Sequence, residues 1–385
     1  MNTTLKRGSA AIVGVAESDL GGVAAGMSVT GLLAQGVHRA LGACGRALAD
    51  VDGVFAAGGQ SRMPSTALCE YLGLKPRYQD CTMMGGSSFM THVAHAQAAI
   101  ELGLCEVAVI AYGSTQRSAG RKNVAPREYN PYETPFRPVL PASAYALAAS
   151  RHMHLYGTTR EQLAQIAVAA RQWALLNPVA WEKEPLTVEQ VLAARMVSHP
   201  LTVRDCCLVT DGGGALVMTS AARAKTLRKP PAFVLGVGES ISHQTISNMA
   251  DLTVTGAARS GAQAYAMAGL KPQDIDVVQV YDAFTITTLL FLEDLGFCPK
   301  GEGGRFVSDG AIAPGGRLPV NTNGGGLSYC HPGMYGLFVL MEAVRQLRGE
   351  CGERQVAGCE TAIAHGNGGV LSSQSTVVLG SASTI

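Results

Sequence analysis

Short apolar runs of strand length alternate with stretches of helical length along most of this chain, and that alternation constrains its fold more than any other feature. Residues 10–16 (AAIVGVA) and 107–112 (VAVIAY) are unbroken apolar runs, as expected of strands covered on both faces. Between them, the pattern predicts a helix over 28–48, a strand over 51–58, a short extended segment over 78–82 and a helix of small and apolar residues over 87–102. From 113 to 204 the alternation breaks. That stretch carries Pro126, Pro131, Pro135, Pro138 and Pro141 and two amphipathic runs, 142–156 and 159–176, and reads as an inserted loop domain. Alternation resumes with a strand over 215–219. A second round follows: strand 232–236, helix 256–268, strand 277–281, helix 284–295, a loop to residue 331, helix 334–347, and strands 361–364 and 374–379. Two such rounds predict an α/β protein built as a structural pseudo-repeat.

Composition narrows the class of function. A chain of 385 residues with 47% apolar content buries a large core. With 30 Lys and Arg against 29 Asp and Glu there is no bulk field for a polyanion, so nucleic-acid binding is not expected. The ten cysteines lack a repeated CxxC spacing, so they read as reduced thiols and give no metal site. The start, MNTTLKRGSAAIVGVAE, has no long apolar h-region, and no run reaches the ~18 apolar residues of a membrane span. A cytoplasmic location without membrane attachment is the expectation.

Several segments carry residues suited to chemistry. In NTNGGGLSYCHPGMYG (321–336), glycines at 324–326 allow close backbone approach to a ligand, and His331 presents an imidazole next to Pro332. In VYDAF (280–284) a strand ends and a helix begins at once, a position where open α/β sheets place ligand chemistry, and Tyr281 would project into that crevice. Asp211 opens DGGGA (211–215), a glycine turn feeding a strand. In AHGNGG (364–369), His365 stands in a glycine-rich turn between two strands and would titrate near neutral pH.

These segments resemble those of the thiolase superfamily. The 321–332 segment is similar to N-x-x-G-G-x-x-x-x-G-H-P, with Asn321, Gly324, Gly325, His331 and Pro332 matching and Cys330 in place of a glycine. DCCLVTDGGGA is similar to the segment that ends the first thiolase half. Tyr281 stands where thiolases have the Asn of Asn-Glu-Ala-Phe or the His of His-Asp-x-Phe, and His365 falls at the C-x-G-G-G or His-Asn-x-G motif. The branch resembled is the sterol-carrier-protein or lipid-transfer-protein type. It implies a thiolase fold of five layers, αβαβα, with two topologically similar halves at 1–225 and 226–385, the insertion at about 113–204, and a homodimer.

The departure from the family lies in DCTMMGGSSFMTHVAHAQAAI (80–100), where a thiolase carries its nucleophilic cysteine at a helix start. An ungapped comparison puts Gly86 at that position, and the other register puts Met83 there. Cys81 lies five residues before Gly86 in the expected strand, away from the helix N-terminus that would activate a thiolate. Cys330 adjoins His331 and is expected to point away from it. The resemblance therefore implies a CoA-thioester enzyme with no acyl-enzyme step. The expected reaction is retro-aldol carbon-carbon cleavage of a β-hydroxyacyl-CoA, with Tyr281 and Tyr329 as proton carriers, His331 as oxyanion donor and His365 as acid/base. Two alternatives stay open: an acyltransferase whose cysteine is mis-registered, and a silent CoA-binding subunit. Coenzyme A enters as part of the substrate, with Arg117, Arg121, Lys122 and Gly325 as candidate contacts. Some aldolase relatives work with a small OB-fold and zinc-ribbon partner, which the resemblance also implies here.

Overall fold

The computed structural model describes residues 5–120 and 130–385. Along the first half run β1 (Ala10–Glu17), α1 (Val29–Cys44), β2 (Gly53–Ala56), α2 (Pro64–Leu72), β3 (Tyr78–Asp80), α3 (Ser88–Glu101) and β4 (Val107–Ser114). After β4 come α4 (Ala142–Tyr156), α5 (Arg160–Leu175), α6 (Val188–Leu192) and the small ribbon β5 (Met196–Ser198) and β6 (Leu201–Thr202), followed by β7 (Gly212–Ser220) and α7 (Ala221–Ala224). The second half contains β8 (Ala232–Ile241), α8 (Ala257–Ala268), β9 (Val277–Val280), α9 (Thr285–Asp294), α10 (Gly303–Phe306), α11 (Gly336–Leu347), β10 (Thr361–Gly368) and β11 (Ser373–Gly380).

Helix boundaries follow local chemistry. Ser28 caps α1 by accepting from the Gly31 amide at 3.0 Å, and Gly45, at φ 68°, ends it in the left-handed conformation. That stop comes three residues before the end expected from the apolar pattern, whose tail forms a separate short turn at Leu48–Asp50. Thr159 and Gln162 form a reciprocal capping box at the start of α5.

The strands are hydrogen-bonded in the order β3-β2-β4-β7-β1-β8-β11-β10-β9. The strands of the two rounds are joined where Ala11 and Ile12 of β1 pair with Phe233 and Ala232 of β8. Helices α3 and α11 touch strands of both halves and form the middle layer, while α1 lies outside the first sheet and α8 outside the second. Gly214 on β7 illustrates the sandwich. A Cβ there would lie 2.4 Å from Met341 of α11, and one on Gly36 of α1 would lie 2.6 Å from the Gly214 backbone. Glycine is required where two helical layers press on one strand. The fold is the five-layered αβαβα thiolase architecture.

One expected element changes the reading of the site. The HGNG run is strand, not turn: β10 continues through Gly368, with His365 paired to Thr376 and Asn367 to Gln374 of β11. Among the described residues, no helix is long and apolar enough to cross a membrane.

Candidate active site

Tyr281 leaves the end of β9 with its amide donating to the His365 carbonyl at 3.0 Å, which fixes its backbone to the neighbouring β10. Its ring crosses toward α3. An ideal Cβ on Gly86 would lie 2.0 Å from Tyr281 Cε2 and 2.7 Å from the Asn367 carbonyl oxygen. The phenyl ring thus fills the space that a cysteine at Gly86 would need. At its far end the hydroxyl meets His331 Nε2 at 3.0 Å and the Gly333 carbonyl at 3.2 Å.

His331 is held by its own loop. Its amide donates to Thr210 Oγ1 at 3.0 Å, and its carbonyl accepts from the Thr210 amide at 3.2 Å. Upstream, a π-helical turn at Gly325–Tyr329 wraps around Asp282, whose carboxylate accepts from the amides of Gly326 at 2.6 Å and Leu327 at 3.3 Å. Gly325 sits at φ 65°, with space for a Cβ only 1.9 Å from Asp282 Oδ2. It therefore serves loop closure around that carboxylate. On the other side, the Tyr112 hydroxyl accepts from the Met334 amide at 3.1 Å and donates to the Pro332 carbonyl. Asp211 accepts from the amides of Ser118 at 2.9 Å and Val23 at 3.3 Å, tying the strand-end loops together.

Burial sets the protonation states. Loss of solvent pushes the His331 imidazole down to about 4, so it is neutral, and its Nδ1 makes no hydrogen bond to another described residue. Desolvation also holds the Tyr281 phenol well above its ordinary value, and it raises Asp282 to about 7 against the opposing amides of Gly326 and Leu327. The pair of Tyr281 and His331 is a neutral proton-sharing unit with one buried nitrogen lone pair or N–H left for a ligand.

Two expected members stand elsewhere. The Tyr329 hydroxyl donates to Glu17 Oε1 at 2.9 Å, and Glu17 is paired with Arg345 on α11. The expectation of Tyr329 as a proton carrier beside Tyr281 is corrected by that contact: the π turn directs residue 329 toward β1. Burial alone would raise the Glu17 carboxyl, but Arg345 and Tyr329 hold it below the usual range. His365 is wholly buried, with Nδ1 on Thr376 Oγ1 and Nε2 on Gln374 Oε1, both at 2.9 Å, and its ring against Phe291. Strand alternation is the reason. On β10 the residues facing α3 are Gly366, where a Cβ would meet Ser87 Cα at 2.9 Å, and Gly368, where one would meet the Met84 carbonyl at 1.6 Å. His365 therefore faces the opposite layer. Extending strand 361–364 by four residues and applying the two-residue period would have found this.

Residue 86, beside the start of α3, carries no thiol. Cys81 contacts Ser65 Oγ at 3.1 Å, and burial holds Cys330 well above an ordinary thiol. Arg117 lies exposed at the rim, stacked 4.7 Å over Trp181 and donating to the Val209 carbonyl at 3.3 Å. Arg121 and Lys122 lie outside the described residues. No group of three or more metal-ligating side chains occurs among the described residues.

Comparison with known proteins agrees with this architecture. Residues 238–381 match the family "Thiolase C-terminal domain-like". The chain is 35% identical over 381 residues to the 17-hydroxy-3-oxo-4-pregnene-20-carboxyl-CoA lyase of Mycobacterium tuberculosis, covering 94% of this chain and 97% of that protein. It is 42% identical over 229 residues to an acetyl-CoA acetyltransferase of Methanothermobacter thermautotrophicus, a match that spans 59% of this chain and 60% of that one. Among solved structures, an Ltp2-ChsH2(DUF35) aldolase superposes with a TM-score of 0.89 at 31% identity, covering 98% of this chain and 99% of that chain. The chain belongs to the thiolase superfamily, in its sterol-carrier-protein type.

Proposed function

We propose that this protein cleaves a carbon-carbon bond of a β-hydroxyacyl-CoA by a retro-aldol route, without an acyl-enzyme. The observation that carries the reading is the Tyr281 ring in the space of the Gly86 side chain, with its hydroxyl 3.0 Å from His331 Nε2. A covalent route needs a nucleophile at the α3 start, and that volume is taken by a phenol. The likeness to a CoA lyase along nearly the whole chain supports the same chemistry.

The residues present can move the required proton. With the imidazole proton on Nδ1, Tyr281 turns its single proton from the Gly333 carbonyl to donate to Nε2. As the phenol oxygen takes the proton of the β-hydroxyl, it passes its own proton to His331, and the bond between the α and β carbons breaks to give a carbonyl product and a thioester enolate. The new imidazolium stands beside the enolate oxygen, to which its Nδ1–H donates, so charge forms in balance in a site without bulk water. Return of the proton through Tyr281 to the α carbon completes an acyl-CoA shortened by the carbonyl fragment. No electrons are exchanged with a cofactor.

An apolar cleft of about 580 Å³ beside α4, lined by Phe136, Leu140, Leu147, Ile246, Met249 and Leu252, suits an apolar acyl group. Arg117 at the rim is the described candidate for the CoA phosphates. Arg117→Ala would then raise KM for acyl-CoA several-fold at unchanged kcat, and an unchanged KM would remove it. The protein would act as a homodimer in the cytoplasm, with a small OB-fold and zinc-ribbon partner presenting acyl-CoA, by analogy with the two-protein assembly named for the aldolase structure. Co-purification from a host expressing the adjacent reading frame, followed by light scattering, tests both associations.

The decisive experiment is turnover of a 3-hydroxyacyl-CoA in Tyr281→Phe. The rate should fall by roughly 10²-fold or more, the usual scale for lost acid/base help. The acetyltransferase likeness supports a second reading, thiolytic acyl transfer. A stable acyl-thioester on any cysteine after incubation with labelled acyl-CoA would establish that reading and end the first.

A further inference from the structure

His365 and the inserted helix α4 are joined by a run of buried hydrogen bonds that crosses the back of the Tyr281 pocket. The His365 Nε2 contact is to Gln374 Oε1, Gln374 Nε2 donates to Asn367 Oδ1 at 2.8 Å, and Asn367 Nδ2 donates to the Tyr145 hydroxyl at 2.9 Å. Tyr145 in turn donates to the Gly369 carbonyl at 2.9 Å. All four side chains are almost fully buried. The direction of every bond follows from the chemistry of the groups. Each amide uses its oxygen to accept and its nitrogen to donate, so His365 must carry its proton on Nε2 and accept on Nδ1 from Thr376, which accepts from Ser260. A buried run in which each member has a partner fixes one arrangement.

The end of the run lies at the reaction site. The Tyr145 ring stacks on Phe284 at 4.4 Å, three residues after Tyr281. The Asn367 carbonyl borders the same Gly86 gap that the Tyr281 ring fills. We propose that Tyr145 belongs to the reaction site as a wall that holds Phe284 and Tyr281 in register, and that His365 is a positioning residue which orients the Tyr145 hydroxyl through Gln374 and Asn367. His365 exchanges no proton with substrate. Its neighbours Phe291, Gln374 and Thr376 carry no charge, and desolvation lowers its imidazole to about 3.

The activity arm rests on the retro-aldol reading above, and a second arm does not. Only the Nε2–H donor of His365 is needed, so His365→Gln, which keeps an N–H for Gln374, should stay within about threefold of wild type. His365→Leu and Tyr145→Phe should each lower kcat about tenfold with KM little changed, the scale of one buried hydrogen bond, and the double variant should be no worse than either alone. Equal inactivity of His365→Gln and His365→Leu, or additive losses in the double variant, would overturn the proposal. In the second arm, ¹⁵N-histidine spectra of the full chain, assigned by difference with His365→Gln, should show His365 as a neutral Nε2–H ring down to about pH 5. A His365 signal that titrates between pH 6 and 7 overturns the proposal whether or not turnover is detected.

Discussion

The ring of Tyr281 stands 2.0 Å from where a Cβ on Gly86 would be, so the two residues exclude one another: a side chain at 86 and a phenol at 281 cannot share this site. The space beside α3 holds either a side chain on residue 86 or the ring of residue 281.

Gly86→Cys should therefore fail to restore acyl-enzyme chemistry. The added atoms force Tyr281 off His331, with an overpacking cost of about 1–3 kcal/mol and a cleavage rate lower by roughly 10²-fold. Denaturant melts and intact-mass measurement after incubation with acyl-CoA check both parts. A Gly86→Cys variant that accumulates acyl-enzyme at wild-type stability would show that the ring yields easily.

Tyr329→Phe should leave turnover within about threefold of wild type while lowering stability by about 1 kcal/mol, because its hydroxyl serves the Glu17–Arg345 pair. Glu17→Ala should be far worse, about 3–5 kcal/mol, since it strands a buried guanidinium. Urea titrations of the two variants, read beside their rates, separate a structural tyrosine from a catalytic one.

Stability should rise with pH between about 4.5 and 6. Burial lowers His331 and His92 to about 4 and His365 to about 3, so below the ordinary imidazole value near 6.5 the unfolded chain binds protons that the folded chain refuses. Asp282 has the opposite sign: raised to about 7, it keeps a proton in the folded state that an unfolded carboxyl loses above about 4. Three protons against one leave a net uptake of about two on unfolding, or about 2–3 kcal/mol per pH unit near pH 5. Urea midpoints at pH 5 and 6 measure this slope, and a flat profile would contradict it.

His92→Leu should be stabilising. Among the described residues neither buried ring nitrogen of His92 makes a well-formed hydrogen bond between Phe55 and Phe89, so an apolar replacement removes a poorly satisfied group worth about 1 kcal/mol. The gain should grow as pH falls below 6, by the linkage above. Thermal melts at pH 5.5 and 7.5 test both statements.

The order of elements was legible in the chain because it rests on local chemistry: apolar periodicity, caps, and glycines that a tight loop demands. Tyr281 was legible because a strand that ends at a helix start places its next residue in a crevice. What the chain alone left open was direction. His365 and Gly366 are adjacent in sequence yet face opposite layers, and the side chosen depends on how far β10 continues, which is set by pairing with β11. Tyr329 and His331 share one loop, but the π turn around Asp282 sends the first to Glu17 and the second to Tyr281. Contacts between residues hundreds of positions apart, such as Tyr145 with Asn367 or Glu17 with Arg345, have no local signature, because each partner is stabilised only by the burial that the assembled layers create. Local sequence thus fixed which groups the chain brings to the site, and tertiary packing decided which of them face it.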